Sequence, residues 1–297
     1  MLNLAAGLLD VQAGEVNVGG ALLAAPGKNP APEKRPVGLV FQDGALFPHM
    51  TIAKNVAFGI EGAGADVVEE WLERVGLGGL GARYPHELSG GQQQRAALAR
   101  AMAPGPQVLL MDEPFASVDI VLRRRLRRDC RRLLRERGTT TVMVTHDPEE
   151  ALDIADWIAV MEGGEIVQFG TPDDLHERPA TASVGAIFGG AQVMAARREE
   201  AGLATPLGHW PLSCVAGAMP EAEALDLLIH AETLDFESDP AGLEVLDVHP
   251  LGVASRVLVR GASGDEITIQ TTSPVEEGAR YRVMPRSASI RAFARQS

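Results

Sequence analysis

The sequence predicts an α/β N-terminal domain, built on a mostly parallel sheet with helices on both faces, followed by a small antiparallel β barrel. Three observations predict it. Four segments, 37–41, 108–111, 140–145 and 157–161, are apolar almost throughout and rich in β-branched residues, as strands covered on both faces are. Helical patterns at 66–77 and 90–103 lie between them, the second stopped by Pro104 and Pro106; alternating strands and helices imply a parallel sheet. Beyond residue 210 the pattern shortens to alternating runs at 243–248, 253–259, 266–271 and 280–284, punctuated by Gly261, Gly264 and Gly278, which reads as a barrel of short strands. The glycine- and alanine-rich stretch 185–210, with Pro206, reads as a linker or a first short strand. The expected division is 1–189 and 190–297.

Composition narrows the function classes. A chain of 297 residues, 45% hydrophobic, can bury one large or two medium cores. No apolar run approaches the ~18 residues of a membrane span, and the apolar start lacks the basic leader and cleavage site of a signal peptide. Two distant cysteines, Cys130 and Cys214, fit a reducing compartment. A net charge of −13 argues against nucleic acid as a partner. Nine of the fifteen residues from 123 to 137 are arginine. Leu122, Leu126, Leu133 and Leu134 form a partial apolar stripe there, so the arginines are expected on a solvated outer face. His209, His230 and His249 are scattered without metal-ligand spacing.

The chemistry concentrates in the first domain. The strand at 108–111 leaves Asp112 and Glu113 at its carboxyl end, where open α/β sheets bind ligands. A carboxylate there can hold Mg²⁺ and its neighbour can deprotonate an attacking water; Asp112 is expected in the first role and Glu113 in the second. His146 ends the strand at 140–145 on the same rim, where imidazole can bond a terminal phosphate. Gln42 ends the strand at 37–41, and its amide can ligate the ion or position water. The run Leu88-Ser89-Gly90-Gly91-Gln92-Gln93-Gln94-Arg95 puts a serine and two glycines at a helix start, which suits an anion because free amides and the helix dipole point outward. An ordinary N-cap would explain Ser89, but not two glycines followed by three glutamines and an arginine. Residues 43–59 carry Leu46, Phe47, Met50, Ile52, Val56 and Phe58, either as core or as a groove for a partner's helix.

In order and spacing these motifs resemble those of ABC transporter ATPase subunits over residues 1 to about 185. Gln42 is similar to the Q-loop glutamine, Leu88 to Arg95 to the signature motif, Val108 to Glu113 to Walker B, and His146 to the switch histidine. Ala116-Ser117-Val118-Asp119 resembles the D-loop and keeps its final aspartate, Asp119. The resemblance implies a P-loop-NTPase-like ABC ATPase fold, ATP and Mg²⁺ as cofactors, and a homodimer. In that dimer Ser89, Gly90, Gly91 and Gln92 cap nucleotide held by the second ATPase subunit. It further implies integral-membrane permease subunits as partners, indirectly a substrate-binding protein, and a peripheral place on the cytoplasmic face of the inner membrane. Val40 to Thr51 is similar to importers of the iron, polyamine, sugar and sulfate group, whose C-terminal extension is an OB-like regulatory barrel. Tyr84-Pro85-His86-Glu87 and Thr205-Pro206-Leu207-Gly208 look most like ferric-iron importer ATPases.

One departure is expected to matter. Nowhere in the 297 residues does Gly-x-x-x-x-Gly-Lys-Ser/Thr occur, and Gly27-Lys28-Asn29 lacks both the earlier glycine and the hydroxyl. That loop supplies a nest of amides, a lysine and a magnesium-binding hydroxyl, each charged bond worth roughly 1.5–3 kcal/mol. By the resemblance the chain begins where the loop has just ended, as a late start codon or a gene fragment would leave it. The chain alone is expected to hydrolyse ATP negligibly. Two other classes stay open: a catalytically dead regulatory or binding subunit, and a soluble ABC ATPase without a transport role.

Overall fold

A computed structural model describes residues 1–297 except 43, 61, 63, 117, 119, 262, 263, 296 and 297; the side chains of 120 and 121 also lie outside the described set. The chain divides into two units, Met1–Ala155 and Asp156–Ser297.

The first unit runs α1 (Leu2–Ala6), β1 (Val16–Val18), β2 (Ala21–Ala24), β3 (Val37–Val40), α2 (Ile52–Ala57), α3 (Ala65–Arg74), α4 (Gly90–Met102), β4 (Val108–Asp112), α5 (Ile120–Arg137), β5 (Thr140–Val144) and α6 (Pro148–Ile154). Strands β1 and β2 form an antiparallel pair, and β3-β4-β5 form a parallel sheet in that order. Alternation along β4 explains the layering. Leu109 and Met111 enter the large core with the helix residues Ala96, Leu98, Leu126 and Leu133, whereas Leu110 meets Leu2 and Ala6 of α1 on the opposite face. Helices therefore cover both faces of β4, which is why all of 109–111 is apolar. At the edge of the sheet, β5 leaves Val142 and Val144 exposed.

Helix α4 lies antiparallel to β3, as two glycines show. A Cβ on Gly38 would stand 2.5 Å from the Ala101 carbonyl oxygen, near the end of the helix. A Cβ on Gly44, past the other end of the strand, would stand 3.5 Å from the Ala97 Cβ. The start of α4 thus lies toward the end of the sheet where β3 terminates.

The second unit runs β6 (Ile158–Glu162), β7 (Glu165–Gly170), α7 (Pro172–Glu177), α8 (Ala182–Gly189), β8 (Gln192–Glu199), β9 (Gly202–Thr205), β10 (Gly208–Trp210), β11 (Ala224–Ile229), β12 (Leu234–Pro250), β13 (Ser255–Arg260), β14 (Glu266–Thr271), β15 (Arg280–Pro285) and β16 (Arg291–Ala294). Two antiparallel sheets, β10-β9-β8-β11-β16 and β14-β13-β12-β15, enclose one core. Buried Trp210 joins them by donating Nε1–H to the Val283 carbonyl at 2.9 Å.

Three expectations change. The segment 157–161 is a strand, but it pairs antiparallel with β7 across the Gly163-Gly164 turn instead of joining the parallel sheet; a nearby hairpin partner prevails over a distant parallel one. The stretch 185–210 is neither linker nor a single strand but the end of α8 and three strands, β8 to β10, since small residues pack between sheets as readily as they loop. The arginines of α5 do not all face solvent: Arg127 is 2% exposed.

Replacing Trp210 with Phe removes the inter-sheet bond and strands a buried carbonyl. The expected cost is about 1–3 kcal/mol, read as a lower denaturant midpoint with an unchanged slope.

Candidate functional site

Parallel register brings four polar residues to one rim. Val40 pairs with Met111, and Asp112 with Val144, so Gln42, Asp112, Glu113 and His146 all emerge at the carboxyl ends of three adjacent strands. The Glu113 amide extends the ladder one step by donating to the Val144 carbonyl at 2.9 Å. Glu113 itself has φ +42°, a left-handed conformation uncommon for a non-glycine residue and found where surroundings enforce it. Its carboxylate meets His146 Nδ1 at 3.0 Å. Asp112 is half-buried, and neither its side chain nor that of exposed Gln42 has a hydrogen bond or ion pair among the described residues.

The histidine is held from behind. Thr145 donates its hydroxyl to Glu150 Oε2 at 2.6 Å and accepts from the Asp147 amide at 3.0 Å. Asp147 caps α6 by accepting from the Glu149 amide. Arg127 reaches from α5 to bond Asp147, with Glu150 Oε1, Glu149 Oε2 and Asp153 Oδ2 each at 3.4 Å. Arg123 donates to the Val118 carbonyl at 2.9 Å and stands 3.4 Å from Asp147. Sequence reasoning missed this group. Its only trace was one arginine at core spacing, four residues after Arg123 and one after Leu126, inside a run that looked uniformly basic.

The serine-glycine turn has local duties of its own. Ser89 is the N-cap of α4: its hydroxyl accepts from the Gln92 amide at 3.4 Å, and Gln92 Oε1 accepts from the Ser89 amide at 2.9 Å, a capping box. A Cβ on Gly91 would fall 2.5 Å from Leu122 Cδ2, so a larger residue there would have to push that side-chain tip of α5 aside. Gln93 donates to the Pro85 and Leu88 carbonyls, and Arg95 to those of Val75 and Gly76. The N-cap thus accounts for more of the run than the sequence suggested. Ser89 and Gly90 remain exposed, at the end of the unit where β3 and its Gln42 terminate. Asp119 lies outside the described residues.

Past Gln42, the loop is both core and surface. Ile52 and Val56 are buried while Phe58 is 62% exposed. Asn55, fully buried, holds the loop by accepting from the Phe47 amide at 2.8 Å and donating to the Phe47, Met50 and Thr51 carbonyls. Arg100 donates to the Gly44 and Ala45 carbonyls and lies over the Phe47 ring.

The donors present suit a hard cation. A half-buried carboxylate without a partner and a neighbouring amide oxygen are the ligand types Mg²⁺ takes, together with waters and phosphate oxygens. Among the described residues no group of three or more His, Cys, Asp or Glu could cage a metal, so most ligands would come from elsewhere.

Two outcomes are expected. The hydrogen bond to Glu113, and then its charge, raise the His146 pKa above the ordinary 6.5. The pair's stabilisation is therefore complete below the unfolded value and fades as pH rises through the folded one. An NMR titration of His146 should show a midpoint above 6.5 that falls in Glu113→Gln. Arg127→Met should leave Glu150 without its cation and Asp147 with Arg123 alone, and cost about 3–5 kcal/mol, measured by chemical denaturation.

Residues 1–116 match the family model for the ABC transporter. Among curated proteins, the chain is 45% identical over 227 residues to the sulfate/thiosulfate import ATP-binding protein CysA of Caulobacter vibrioides, covering 71% of this chain and 63% of that one. It is 48% identical over 199 residues to the Fe(3+) ions import ATP-binding protein FbpC of Brucella abortus, covering 65% and 55%. Among solved structures, a dimeric, post-hydrolysis ATP-binding cassette with ADP and Pi is 28% identical, covers 58% of this chain and 78% of that one, and superposes with a TM-score of 0.49. The chain thus spans less than two thirds of the length of the curated relatives it matches. Over residues 1–116 the chain is similar to the ABC transporter family, and the curated relatives it matches are import ATP-binding proteins.

Proposed function

We propose that this chain is the ATP-binding and hydrolysing subunit of a binding-protein-dependent importer, with ferric iron the favoured cargo. The observation that carries the reading is the Glu113–His146 pair at 3.0 Å beside partnerless Asp112 on the carboxyl rim of a parallel sheet. Glu113 takes the proton of the attacking water. His146 orients Glu113 through Nδ1 and keeps Nε2 for a terminal phosphate oxygen, its ring being 73% exposed. Asp112 and Gln42 hold Mg²⁺, which when bound neutralises charge on the phosphate oxygens. Ser89, Gly90, Gly91 and Gln92 offer the start of α4 to nucleotide on a second copy of the chain, a role that exposure of Ser89 and Gly90 supports. Asp119 is assigned to nucleotide binding by the D-loop resemblance alone. Permease subunits dock by the loop after Gln42, where Phe58 is exposed, and the complex sits at the cytoplasmic face of the inner membrane with a substrate-binding protein as indirect partner. The ATPase part comprises 1–189. Residues 190–297 form an OB-like regulatory domain, a boundary supported by the two sheets that begin with β8.

A second reading is a regulatory or binding subunit without turnover. It is favoured by one observation: no Gly-x-x-x-x-Gly-Lys-Ser/Thr occurs in the sequence, so these residues supply no phosphate-gripping loop of that kind.

The test joins the segment of the sulfate/thiosulfate relative that precedes its match to the front of this chain. Turnover should appear in the fusion and be negligible in the chain alone. Glu113→Gln in the fusion should keep ATP binding and lower turnover by about 10²–10⁴-fold, the usual worth of a general base. Binding without turnover in the unmutated fusion would favour the second reading. Turnover that survives Glu113→Gln would remove Glu113 from its role.

A further inference from the structure

Two helices of the first unit carry charge that nothing beside them neutralises. On α5, Arg124, Arg128 and Arg131 recur at i, i+4 and i+7 and so share one face. Arg124 and Arg128 are exposed and Arg131 is half-buried, and among the described residues none of the three has a carboxylate partner. The helix's own carboxylates lie on the neighbouring face, Asp129 between Arg125 and Arg132 and Glu136 beside Arg132.

The opposite charge is arranged in the same way on α3. Asp66, Glu69 and Glu73 recur there at i, i+3 and i+7, and all are exposed. The one arginine of that helix, Arg74, is taken by Glu70. Glu69 accepts only from the Gly79 amide, and Asp66 and Glu73 have no partner among the described residues.

Like charges three or four residues apart repel one another on a helix, so each stripe destabilises the helix that carries it. A face kept only for solvation usually intersperses the two signs; neither of these does. The stripes also match in length. Each sets three charges over two turns, about 10 Å of helix.

We propose that these faces join two copies of the chain, the arginine face of α5 on one copy seating on the acidic face of α3 on the other. A second copy relieves both stripes at once. An extended polyanion, such as duplex DNA or an anionic membrane, answers only the arginines and meets a chain of net charge −13. The contact consists of exposed ion pairs, each weak alone, so it is reversible and sensitive to salt. It uses neither nucleotide nor Ser89 and Gly90, and it stands whether or not the proposed ATPase role does.

The experiment follows the average mass of the 297-residue chain against its concentration, without nucleotide. At about 0.1 M salt, screening over about 10 Å damps repulsion between whole chains but spares charges in contact. Mass should rise with concentration there, and association should weaken at least tenfold at about 1 M salt, where screening acts over about 3 Å. Arg124→Glu with Arg128→Glu should abolish the rise, and so should Asp66→Lys with Glu73→Lys. Mixing the two variants sets opposite charges across the contact again and should recover the association. A mass that does not rise, a rise indifferent to salt or to both variants, or a mixture that stays apart overturns the proposal. Tighter retention on duplex DNA or on phosphatidylglycerol vesicles than on a second copy, lost in the arginine variant, assigns the stripe to a polyanion and overturns it too. Should a reversed variant not fold, Arg124→Gln with Arg128→Gln takes its place, and an association that it leaves unchanged overturns the proposal.

Discussion

The parallel register of β3, β4 and β5 is the constraint on which the first unit depends. Pairing Val40 with Met111 and Asp112 with Val144 leaves no freedom in where the three strands end. A slip of one residue would turn Leu109 and Met111 out of the core and Leu110 into it. Because the faces of β4 are covered by different partners, α1 on one side and α4 with α5 on the other, such a slip would be resisted on both. Packing at the centre of the sheet thus determines chemistry at its rim.

From that rim the structure builds backward. Glu113 holds an unusual backbone conformation while its amide continues the ladder and its carboxylate meets His146. The strand-to-helix turn that carries His146 is fastened by Thr145, Glu150 and Asp147, and these are fastened by Arg127. A buried arginine surrounded by four carboxylates is a costly core element, since desolvating the charges offsets much of their attraction. What it supplies is geometry: α5, α6 and the turn after β5 share a single anchoring point. Arg123 extends the connection to the Val118 carbonyl, just before Asp119.

Much of the fold was legible from pattern. The boundaries of α4, the four C-terminal strand runs and the strand ends at Gln42, Asp112 and His146 follow from periodicity and stop signals, which are local. The ladder partner of 157–161 was not legible, because an apolar run pairs equally well with a parallel neighbour or a hairpin one, and only the short Gly163-Gly164 turn tips the choice. For the same reason 185–210 concealed three strands among small residues. In the candidate site, residue types at strand ends were visible, whereas Asn55, Arg100 and Arg127 were not: Arg100 and Arg127 act on groups far away in sequence, and Asn55 on loop backbone whose path no periodic pattern announces.

By itself, then, the sequence determined which residues stand at strand ends, which serine caps which helix, and that no Gly-x-x-x-x-Gly-Lys-Ser/Thr occurs among them. These follow from the order of side chains along one backbone. Only the tertiary structure decided which of nine neighbouring arginines is buried and how closely Gly91 packs against the Leu122 side chain. The physical reason is that burial and hydrogen-bond satisfaction belong to pairs of distant segments, so the same side chain changes its meaning with what packs against it.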